Sequence, residues 1–484
     1  MSTLKDRKST VGTNKVYDVA VVGAGVVGAA IARELTNYQL AVALVEASDD
    51  IGNGTTKANT AIRHTGFDAK PGSLESALLQ RSFPLLAEYA TKVGIPLEVP
   101  GAVLVAWDEE QLARLGNLSD RAKGNGYDRV RLLEPSEVYA REPNLGPGVL
   151  GGLHIPDEGI ICPFSTVLAL ATEAVVNGAD LIREAPVERV RSEGELHLLD
   201  TPRGTVQAHW VVNAAGLYSD IIDCYFGHEN FEVQPRRGQL IVFDKFARRL
   251  INGIVLPVPT AITKGVLVAP TVWGNVLLGP TAENVSDRRG TQTTPEGLAY
   301  LVDQGSRIMP ALIDEEITTT YAGLRAATQH DDYQIHSYPE QHYVAVGGIR
   351  STGVSACMGI AAYVVDLFKE GGLAMIRATN HQEVRLPPLG ETMVRRYQDE
   401  EAIARNPNYG KVVCFCEKVS LGELVDALAS PVPPTTLEAL KRRTRAMLGR
   451  CQGFYCSTKV CDTFASRGGL DPELVMHLHK ETRP

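Results

Sequence analysis

Four cysteines near the carboxyl end of this 484-residue chain have a spacing that suits metal ligation. Cys414 and Cys416 form one pair, and Cys451 and Cys456 form a second pair after 34 intervening residues. Thiolates are soft ligands of the kind that bind iron–sulfur clusters or zinc. In a long chain without a visible secretory signal, such clustering favours a metal site over disulfides. Cys461 falls outside the four-ligand pattern, and we interpret it as a free thiol.

A glycine motif near the amino end indicates a second kind of chemistry. Gly23, Gly25 and Gly28 form Gly-x-Gly-x-x-Gly after the apolar run 16–22, which predicts a buried strand, and they open a predicted helix. Free amides at a helix N-terminus bind phosphates, and Glu46 ends the next predicted strand, where it can accept a hydrogen bond from a ribose hydroxyl. The pattern predicts a dinucleotide site without choosing between FAD and NAD.

Several further segments occur in the order typical of one flavoprotein family. The segments are 52–59, 63–66, 212–216, 323–325 and 347–353. Together with the glycine motif they resemble the family that includes D-amino-acid oxidase, glycerol-3-phosphate dehydrogenase and 2-hydroxyglutarate dehydrogenase. The resemblance covers about residues 16–375 and implies bound FAD.

The resemblance also implies which residues contact FAD. They are Gly23, Gly25, Val26, Val27, Gly28, Glu46, Thr55, Thr56, Asn59, Ala215, Gly216, Gly348, Ile349, Arg350, Thr352 and Gly353. In this family the late glycine loop lies against the flavin ring, with the next helix N-terminus near the pyrimidine carbonyl. The helix dipole there would stabilise negative charge on the reduced flavin.

Family resemblance places the substrate over the flavin, beneath an antiparallel sheet from the middle of the chain. The candidate cations for an anionic substrate are Lys264, Arg325, Arg350 and Arg63. His64 is the candidate base, because a neutral imidazole can accept a hydroxyl proton near neutral pH. The structural alternatives are that Arg325 belongs to a scaffold salt bridge and that His64 orders its loop. The further histidine candidates are His330, His336 and His342.

The cysteine pairs resemble a bacterioferritin-associated-ferredoxin-like domain, in which two cysteine loops joined by a helical hairpin bind a [2Fe-2S] cluster. Segments 414–417 and 441–453 also resemble the C-terminal part of anaerobic glycerol-3-phosphate dehydrogenase large subunits. Structural zinc and unligated thiols remain alternatives. For the basic run 441–445, a solvated helix face or compensation of cluster charge is favoured over partner docking.

The substrate class stays open between two branches of the family. The loop 66–74 resembles the 2-hydroxyglutarate enzymes, whereas the cysteine domain resembles the glycerol-3-phosphate enzymes. In the latter we expect an arginine where Phe67 stands. Both branches share one reaction, in which hydride leaves a secondary alcohol carbon for the flavin and a base takes the hydroxyl proton.

The predicted strands and helices that position these residues indicate an α/β fold for the FAD-binding part and an α+β class for the chain as a whole. We expect a Rossmann-like FAD-binding domain, an antiparallel-sheet substrate domain and a small helical iron–sulfur domain. The predicted boundaries are 16–380 for the oxidoreductase (FAD-binding parts 16–80, 150–225 and 320–375; substrate parts 81–149 and 226–319), 381–410 for a linker, 411–465 for the [2Fe-2S] domain and 466–484 for a tail.

Composition narrows the class of protein. The formal net charge of −9 gives no general attraction to nucleic acid, and the first apolar run, 19–32, is too short and glycine-rich to span a membrane. We therefore expect a cytoplasmic enzyme. Its expected partners are a small anionic substrate and either other electron-transfer subunits or further copies of itself.

Two other functions fit the same motifs. One is an amine or amino-acid dehydrogenase subunit of the opine or proline type. The other is a non-catalytic FAD/iron–sulfur electron-transfer subunit. An iron–sulfur domain would have little purpose in an enzyme that reduces oxygen directly, so we expect a dehydrogenase.

Overall fold

The computed structural model describes residues 15–259, 265–391, 393–468 and 475. Within them the strands are β1 (Val16–Val22), β2 (Val42–Val45), β3 (Ile62–Arg63), β4 (Leu97–Glu98), β5 (Ala102–Ala106), β6 (Arg131–Leu133), β7 (Gly151–Ile155), β8 (Gly159–Ile161), β9 (Asp180–Ile182), β10 (Arg189–Glu193), β11 (Leu196–Thr201), β12 (Gly204–Asn213), β13 (Val233–Phe243), β14 (Ile254–Pro257), β15 (Leu267–Pro270), β16 (Val276–Gly279), β17 (Glu283–Asn284), β18 (Ile317–Thr328), β19 (Gln334–Tyr338), β20 (Tyr343–Gly347), β21 (Val412–Cys414) and β22 (Val419–Ser420). The helices are α1 (Val26–Leu35), α2 (Leu74–Val93), α3 (Glu109–Gly124), α4 (Pro135–Arg141), α5 (Pro163–Val176), α6 (Ser219–Tyr225), α7 (Pro295–Ile308), α8 (Gly353–Glu370), α9 (Glu400–Arg405), α10 (Leu421–Ala429), α11 (Leu437–Thr444) and α12 (Ser457–Gly468).

The first sheet has the buried strand β1 at its centre. Its order is β10-β11-β12-β1-β2-β9, and β20 also pairs with β12 and with β19. The β1/β2, β1/β12, β2/β9 and β12/β20 pairs are parallel. Parallel strands that are buried on both faces need continuous apolar runs, which the Val- and Ala-rich β1 and β2 supply. Because β1 and β12 run side by side, the loops after Val22 and after Asn213 meet at one edge of the sheet.

The second sheet is mainly antiparallel and has the order β17-β13-β16-β15-β14-β5-β7-β6, with β18 pairing along most of β13. The boundaries expected within the oxidoreductase differ from the structure here. Segments 150–225 and 320–375 were both expected in the FAD-binding part, yet β7 pairs with β5 and β18 with β13. The local patterns of these two strands suit either sheet, and only long-range pairing assigns β7 and β18 to the second one, while β9 to β12, β19 and β20 lie in the first sheet as expected.

The carboxyl-terminal module, residues 411–468, has its own core beneath the hairpin of β21 and β22. Its helices α10, α11 and α12 bury Leu424, Leu440, Val460 and Phe464. Ser420 caps α10, because its side chain accepts a hydrogen bond from the Glu423 N–H while the Glu423 carboxylate accepts one from the Ser420 N–H. Local capping and a small apolar core therefore define the helical hairpin that carries the cysteine loops.

The module is docked on the FAD-binding fold through a buried ion pair. Asp50, which follows β2 and is fully buried, accepts two hydrogen bonds from Arg443 over 2.7 and 2.8 Å and one from Arg442 over 2.8 Å. The guanidinium groups hold the pKa of Asp50 below its ordinary range despite burial, which acts to raise it. The expectation that residues 441–445 form a solvated face or compensate cluster charge is wrong for Arg442 and Arg443, which bind the rest of the chain instead.

Residues 371–391, which we call the strap, run back along the FAD-binding fold before the chain reaches the module. His381 contacts Glu173 over 2.9 Å, and the Gln382 backbone exchanges hydrogen bonds of 2.7 and 2.9 Å with the side chain of Asn177. The Leu386 N–H donates to the Val93 carbonyl over 2.8 Å. The strap thus follows α5 and the end of α2.

Among the described residues, no helix has the length and apolar character needed to cross a bilayer.

Candidate active site and cysteine centre

The glycine loop between β1 and α1 is shaped by close backbone approaches. Gly23 has φ of +105°, and a Cβ there would lie 2.5 Å from the Ala214 carbonyl oxygen. A Cβ on Gly28 would lie 1.8 Å from the Gly23 carbonyl oxygen, so the helix could not start at this point with a larger residue. The Val26 N–H donates to Thr56 Oγ1 over 3.0 Å. The loop is therefore a bare backbone cradle at a helix N-terminus, which fits a pyrophosphate.

Glu46 lies beside this cradle, as the motif predicts. Its carboxylate accepts the Ala24 N–H over 2.7 Å and the Ser48 N–H over 2.8 Å. Burial raises the pKa of Glu46, and these backbone hydrogen bonds partly offset that effect. The carboxylate retains further lone pairs that can accept hydrogen bonds from a ribose.

The polar loop after β2 connects the cradle to the second sheet. Thr55 Oγ1 donates to the Leu324 carbonyl over 2.8 Å, and Asn59 Nδ2 donates to the Thr56 carbonyl over 2.7 Å. From β18, Tyr321 donates its hydroxyl to the Asn59 carbonyl over 2.7 Å. The alternate residues 321, 323 and 325 share one face of β18, so this face covers the loop 55–59.

The late glycine loop brings a second helix N-terminus to the same place. Gly348 has φ of +65°, and a Cβ on Gly353 would lie 3.3 Å from the Ile349 side chain and 3.8 Å from that of Val27. The start of α8 therefore faces the start of α1. Ala215 and Gly216 follow β12 at the same edge, where the Ala214 N–H donates to the Val22 carbonyl. The structure thus brings the segments that were predicted to contact FAD around one edge of the first sheet.

Arg350 differs from its expected role as a cation free to bind substrate. Its guanidinium is ion-paired with Glu75, and Thr352 Oγ1 donates to the other Glu75 oxygen over 2.7 Å. Tyr333 shares a 2.7 Å hydrogen bond with Thr352. The side chain therefore braces the late loop against α2. Arg63 is likewise engaged, since it donates to the Phe83 carbonyl and stacks 3.5 Å over the Phe83 ring.

His64 lies next to a buried acid that the sequence interpretation missed. Its Nδ1 contacts Glu158 Oε2 at 3.1 Å, and Glu158 Oε1 accepts hydrogen bonds from the Thr65 N–H over 2.7 Å and from Thr65 Oγ1 over 2.9 Å. Glu158 is fully buried. A carboxylate can only accept, so Nδ1 carries the hydrogen, and in the neutral imidazole the lone pair is on Nε2. This arrangement orients an imidazole base.

Arg325 is a half-buried cation for which the described residues provide no anionic partner. It lies directly opposite Arg236 in the β13/β18 pair, so both side chains project from the same face of the sheet. Burial, and secondarily the charge of Arg236, lower the pKa of Arg325 to about 10. A cavity of about 530 Å³ reaches Arg236 and is also lined by Gln239, Thr281 and Tyr300. Two cations thus lie on the face of the sheet that covers the loop 55–59, where their guanidinium groups can bind an anion.

The other sequence candidates lie elsewhere. Lys264 falls outside the described residues. His330 and His336 hydrogen-bond to Asn230 and Gln334, and His342 stacks on Trp210. Phe67 is buried in an apolar cluster of the substrate domain with Ile62 and Ile160, so its side chain contributes to packing.

The four cysteines approach one another in two pairs. Cys414 pairs with Cys456 and Cys416 with Cys451, and the hydrogen bond from Cys456 lowers the pKa of Cys414 to about 6. The backbone N–H groups of Glu417, Met447, Gly453 and Tyr455 are directed at these sulfurs. No group of three or more potential ligands converges on a single ion among the described residues.

Two pairs with directed amides suit a two-iron cluster better than one tetrahedral ion, because each iron takes two thiolates and amide hydrogen bonds tune such clusters. Cys461 lies in the core of the module, where burial raises the pKa of its thiol to about 11. It stands apart from the two pairs.

Comparison with known proteins agrees with both sites. Residues 18–367 match the FAD dependent oxidoreductase family, and residues 412–466 match the BFD-like [2Fe-2S] binding domain. A glycerol 3-phosphate dehydrogenase of Caloramator mitchellensis is 36% identical over 94% of this chain and 95% of its own length. A mitochondrial L-2-hydroxyglutarate dehydrogenase of Bos taurus is 28% identical over 57% of this chain and 62% of its own. The solved dithionite-reduced L-alpha-glycerophosphate oxidase of Mycoplasma pneumoniae with FAD bound is 28% identical, covers 77% of this chain and all of its own, and has a TM-score of 0.72.

The protein is a flavin-dependent oxidoreductase with an attached iron–sulfur domain. The chain belongs to the FAD dependent oxidoreductase family, and its cofactors are FAD and a [2Fe-2S] cluster. The predicted fold class, flavin and cluster are confirmed, and the zinc alternative is wrong.

Proposed function

We propose that the chain is a dehydrogenase that oxidises glycerol 3-phosphate at its secondary alcohol and sends the electrons through the cluster to a separate acceptor. The observation that carries the choice of substrate is the half-buried Arg325, which has no anionic partner among the described residues and lies opposite Arg236. Two neighbouring guanidinium groups suit a phosphate dianion, whose oxygens can accept from both. The similarity to a glycerol 3-phosphate dehydrogenase over both domains supports the same choice.

Arg325 and Arg236 would bind the phosphate and hold the carbon chain against the loop 55–59. Binding an anion relieves the mutual repulsion of the two cations and compensates the half-buried charge of Arg325. Lys264 stays a proposed further contact. Arg350, which is paired with Glu75, would instead hold the late glycine loop in shape.

His64 would take the hydroxyl proton on Nε2 as hydride leaves the same carbon. FAD, when it is bound, supplies the hydride acceptor. The Glu158 carboxylate holds the Nδ1 hydrogen and stabilises the imidazolium that results. The alcohol thus loses two electrons and two hydrogens, one as a proton and one as hydride, and becomes a ketone.

The cradle residues would hold FAD as the family resemblance implies. The two helix N-termini at Val26 and Gly353 would face its negative groups, with Glu46 at the ribose. Cys414, Cys416, Cys451 and Cys456 would bind the cluster. Free cysteines as ligands suit a reducing compartment such as the cytoplasm.

The decisive experiment is an absorption spectrum of the purified holoprotein recorded anaerobically before and after each candidate substrate. We expect glycerol 3-phosphate to bleach the flavin band and then the cluster band, while L-2-hydroxyglutarate, proline and glycine leave both unchanged. Bleaching by 2-hydroxyglutarate alone would assign the substrate to hydroxy acids. Bleaching by an amino acid would assign an amine dehydrogenase, and no bleaching at all would favour a non-catalytic electron-transfer subunit.

The choice between dehydrogenase and oxidase has its own measurement. With glycerol 3-phosphate in air, we expect slow oxygen consumption and fast reduction of an artificial dye. Rapid peroxide formation by protein with an intact cluster would reject the dehydrogenase.

A further inference from the structure

The most exposed aromatic side chains among the described residues gather at the cysteine loops. Phe415 is 73% exposed, Phe454 78% and Tyr455 76%, and the next is Phe246 at 64%. Phe415 lies between Cys414 and Cys416, and the other two loop aromatics lie between Cys451 and Cys456. Large apolar side chains at such exposure weaken solubility unless something covers them.

We call these four exposed side chains, which lie on the two cysteine loops and on the neighbouring residue 246, the aromatic patch (Phe246, Phe415, Phe454 and Tyr455). The two cysteine loops touch, since a Cβ on Gly449 would lie 2.3 Å from the Cys416 Cβ. Phe454 and Tyr455 pack edge to face with centroids 5.1 Å apart. Arg450, in the second loop, lies 5.2 Å over the Phe246 ring and so joins the oxidoreductase domain to the patch.

The patch surrounds the outward edge of the cluster site. Cys414 and Cys456 are buried at 1% and 2% exposure, whereas Cys416 and Cys451 are partly exposed. An electron would therefore leave by the side of Cys416 and Cys451, which is the side that the aromatic patch frames.

The segment that carries the cysteine loops has an excess of basic residues, whereas the whole chain is acidic. Segment 411–468 has nine Lys and Arg residues against five Asp and Glu, while the whole chain carries a net charge of −9. Much of the basic excess is internally paired, as in Arg443 with Asp50 and Arg445 with Glu417. Lys418 and Lys459 are exposed and form no ion pair with another described residue. Arg450 is paired with Glu316.

We propose that the aromatic patch is the docking surface for a small, acidic, one-electron carrier protein that takes electrons from the cluster. This proposal rests on the proposed function and names its acceptor. Small interfaces with an aromatic centre and a charged rim suit the brief encounters of electron transfer. Each alcohol oxidised reduces two carriers by one electron each and releases two protons.

The experiment uses the holoprotein reduced by the substrate that bleaches its flavin, with two one-electron proteins of opposite charge as probes. Oxidised cytochrome b5 has an acidic surface and oxidised cytochrome c a basic one. We expect faster reduction of cytochrome b5, with a rate that falls as salt is added. The double variant Phe415→Ser/Phe454→Ser should lower its kcat/KM about tenfold.

Three controls keep the outcome specific. Reduction of phenazine methosulfate, a small dye, should stay within about twofold, because a dye needs no docking surface. Ile376→Ser removes an apolar side chain of 60% exposure outside the patch and should change neither rate. Lys418→Glu/Lys459→Glu should slow cytochrome b5 without altering the cluster spectrum.

Several results would overturn the proposal. They are equal or faster reduction of cytochrome c, reduction of neither cytochrome by protein whose cluster is reduced, and an unchanged cytochrome b5 rate in both double variants. Conversion of a wild-type dimer into a monomer by Phe415→Ser/Phe454→Ser, seen by sedimentation, would assign the patch to a second copy of the chain instead. Failure of the substrate to bleach the flavin would be seen first and would refute the proposed function separately.

Discussion

Two arginines in this molecule, the buried Arg443 and the half-buried Arg325, have opposite surroundings. Arg443 joins the cysteine module to the FAD-binding fold through two hydrogen bonds to the carboxylate of Asp50. Arg325 faces the FAD loop with another arginine opposite and no anion among the described residues. A buried charge that the chain pairs for itself holds parts of the protein together. One that the chain leaves unpaired is costly for the free protein and is repaid by a ligand.

The largest effect we expect is on catalysis at the unpaired site. Arg325→Met should lower kcat/KM for glycerol 3-phosphate by about a thousandfold, because the substrate loses a buried, charge-assisted hydrogen bond. Arg325→Lys should recover only part of this loss, since an ammonium cannot bind bidentately. Steady-state kinetics with a dye acceptor provide the measurement, and a loss of less than about fivefold would remove Arg325 from the substrate site.

Substitution of Arg443 and of Arg325 should have different effects on the free energy of unfolding. Arg443→Met should lower the free energy of unfolding by about 3 kcal/mol, because it leaves the buried Asp50 with one hydrogen bond from Arg442 and a more distant ion pair with Arg183. Arg325→Met should cost nothing or stabilise the free protein. Arg81→Met, which removes an exposed partner of Asp366, is the control and should cost less than about 1 kcal/mol. Chemical denaturation checks this, and equal losses for Arg443 and Arg325 would contradict the comparison.

Glu158 sharpens the comparison, since it is a buried carboxylate whose two oxygens contact His64 and Thr65 in the proposed active site. Glu158→Gln should lower kcat about a hundredfold with little change in KM, because the amide cannot hold the imidazole in the same tautomer or stabilise its cation. Thr65→Val removes one hydrogen bond to the same carboxylate and serves as the control for loop structure. An increase in KM with kcat preserved would assign Glu158 to binding.

The smallest effect that we expect is a pH dependence of the KM for glycerol 3-phosphate. Burial and Arg236 lower the pKa of Arg325 to about 10, so its cation is fully present below that pH and is lost above it. The KM for glycerol 3-phosphate should therefore be flat up to pH 9.5 or so and then rise about tenfold per pH unit. In Arg325→Met this rise should vanish, and its persistence would place the titrating group elsewhere.

Local patterns predicted the parts of the molecule that depend on local geometry. The tight turn at Gly23, the helix start at Val26 and the acid at Glu46 are determined within one strand–helix–strand unit. The cysteine loops are equally short. In these segments the residue types and their spacing are enough to predict the local geometry.

Contacts between residues that are far apart in the sequence could not be predicted from local patterns. Glu158 is 94 residues from His64, and nothing local distinguished it from neighbouring Asp157. Glu75 is 275 residues from Arg350, so an arginine paired in the fold looked free to bind substrate. The contact between Asp50 and Arg443 spans 393 residues, which is why the basic run was interpreted as a solvated face.

The strap has a consequence for how fast electrons can move. Its hydrogen bonds to Asn177 and Val93, together with the contact of His381 with Glu173, hold the described residues of the strap against the FAD-binding fold, so this segment is not a free tether for the iron–sulfur module. Electron-carrying domains on flexible linkers move by diffusion over microseconds to milliseconds, and viscous solvents slow this motion. Here the step from flavin to iron should proceed at the same rate in water and in concentrated glycerol.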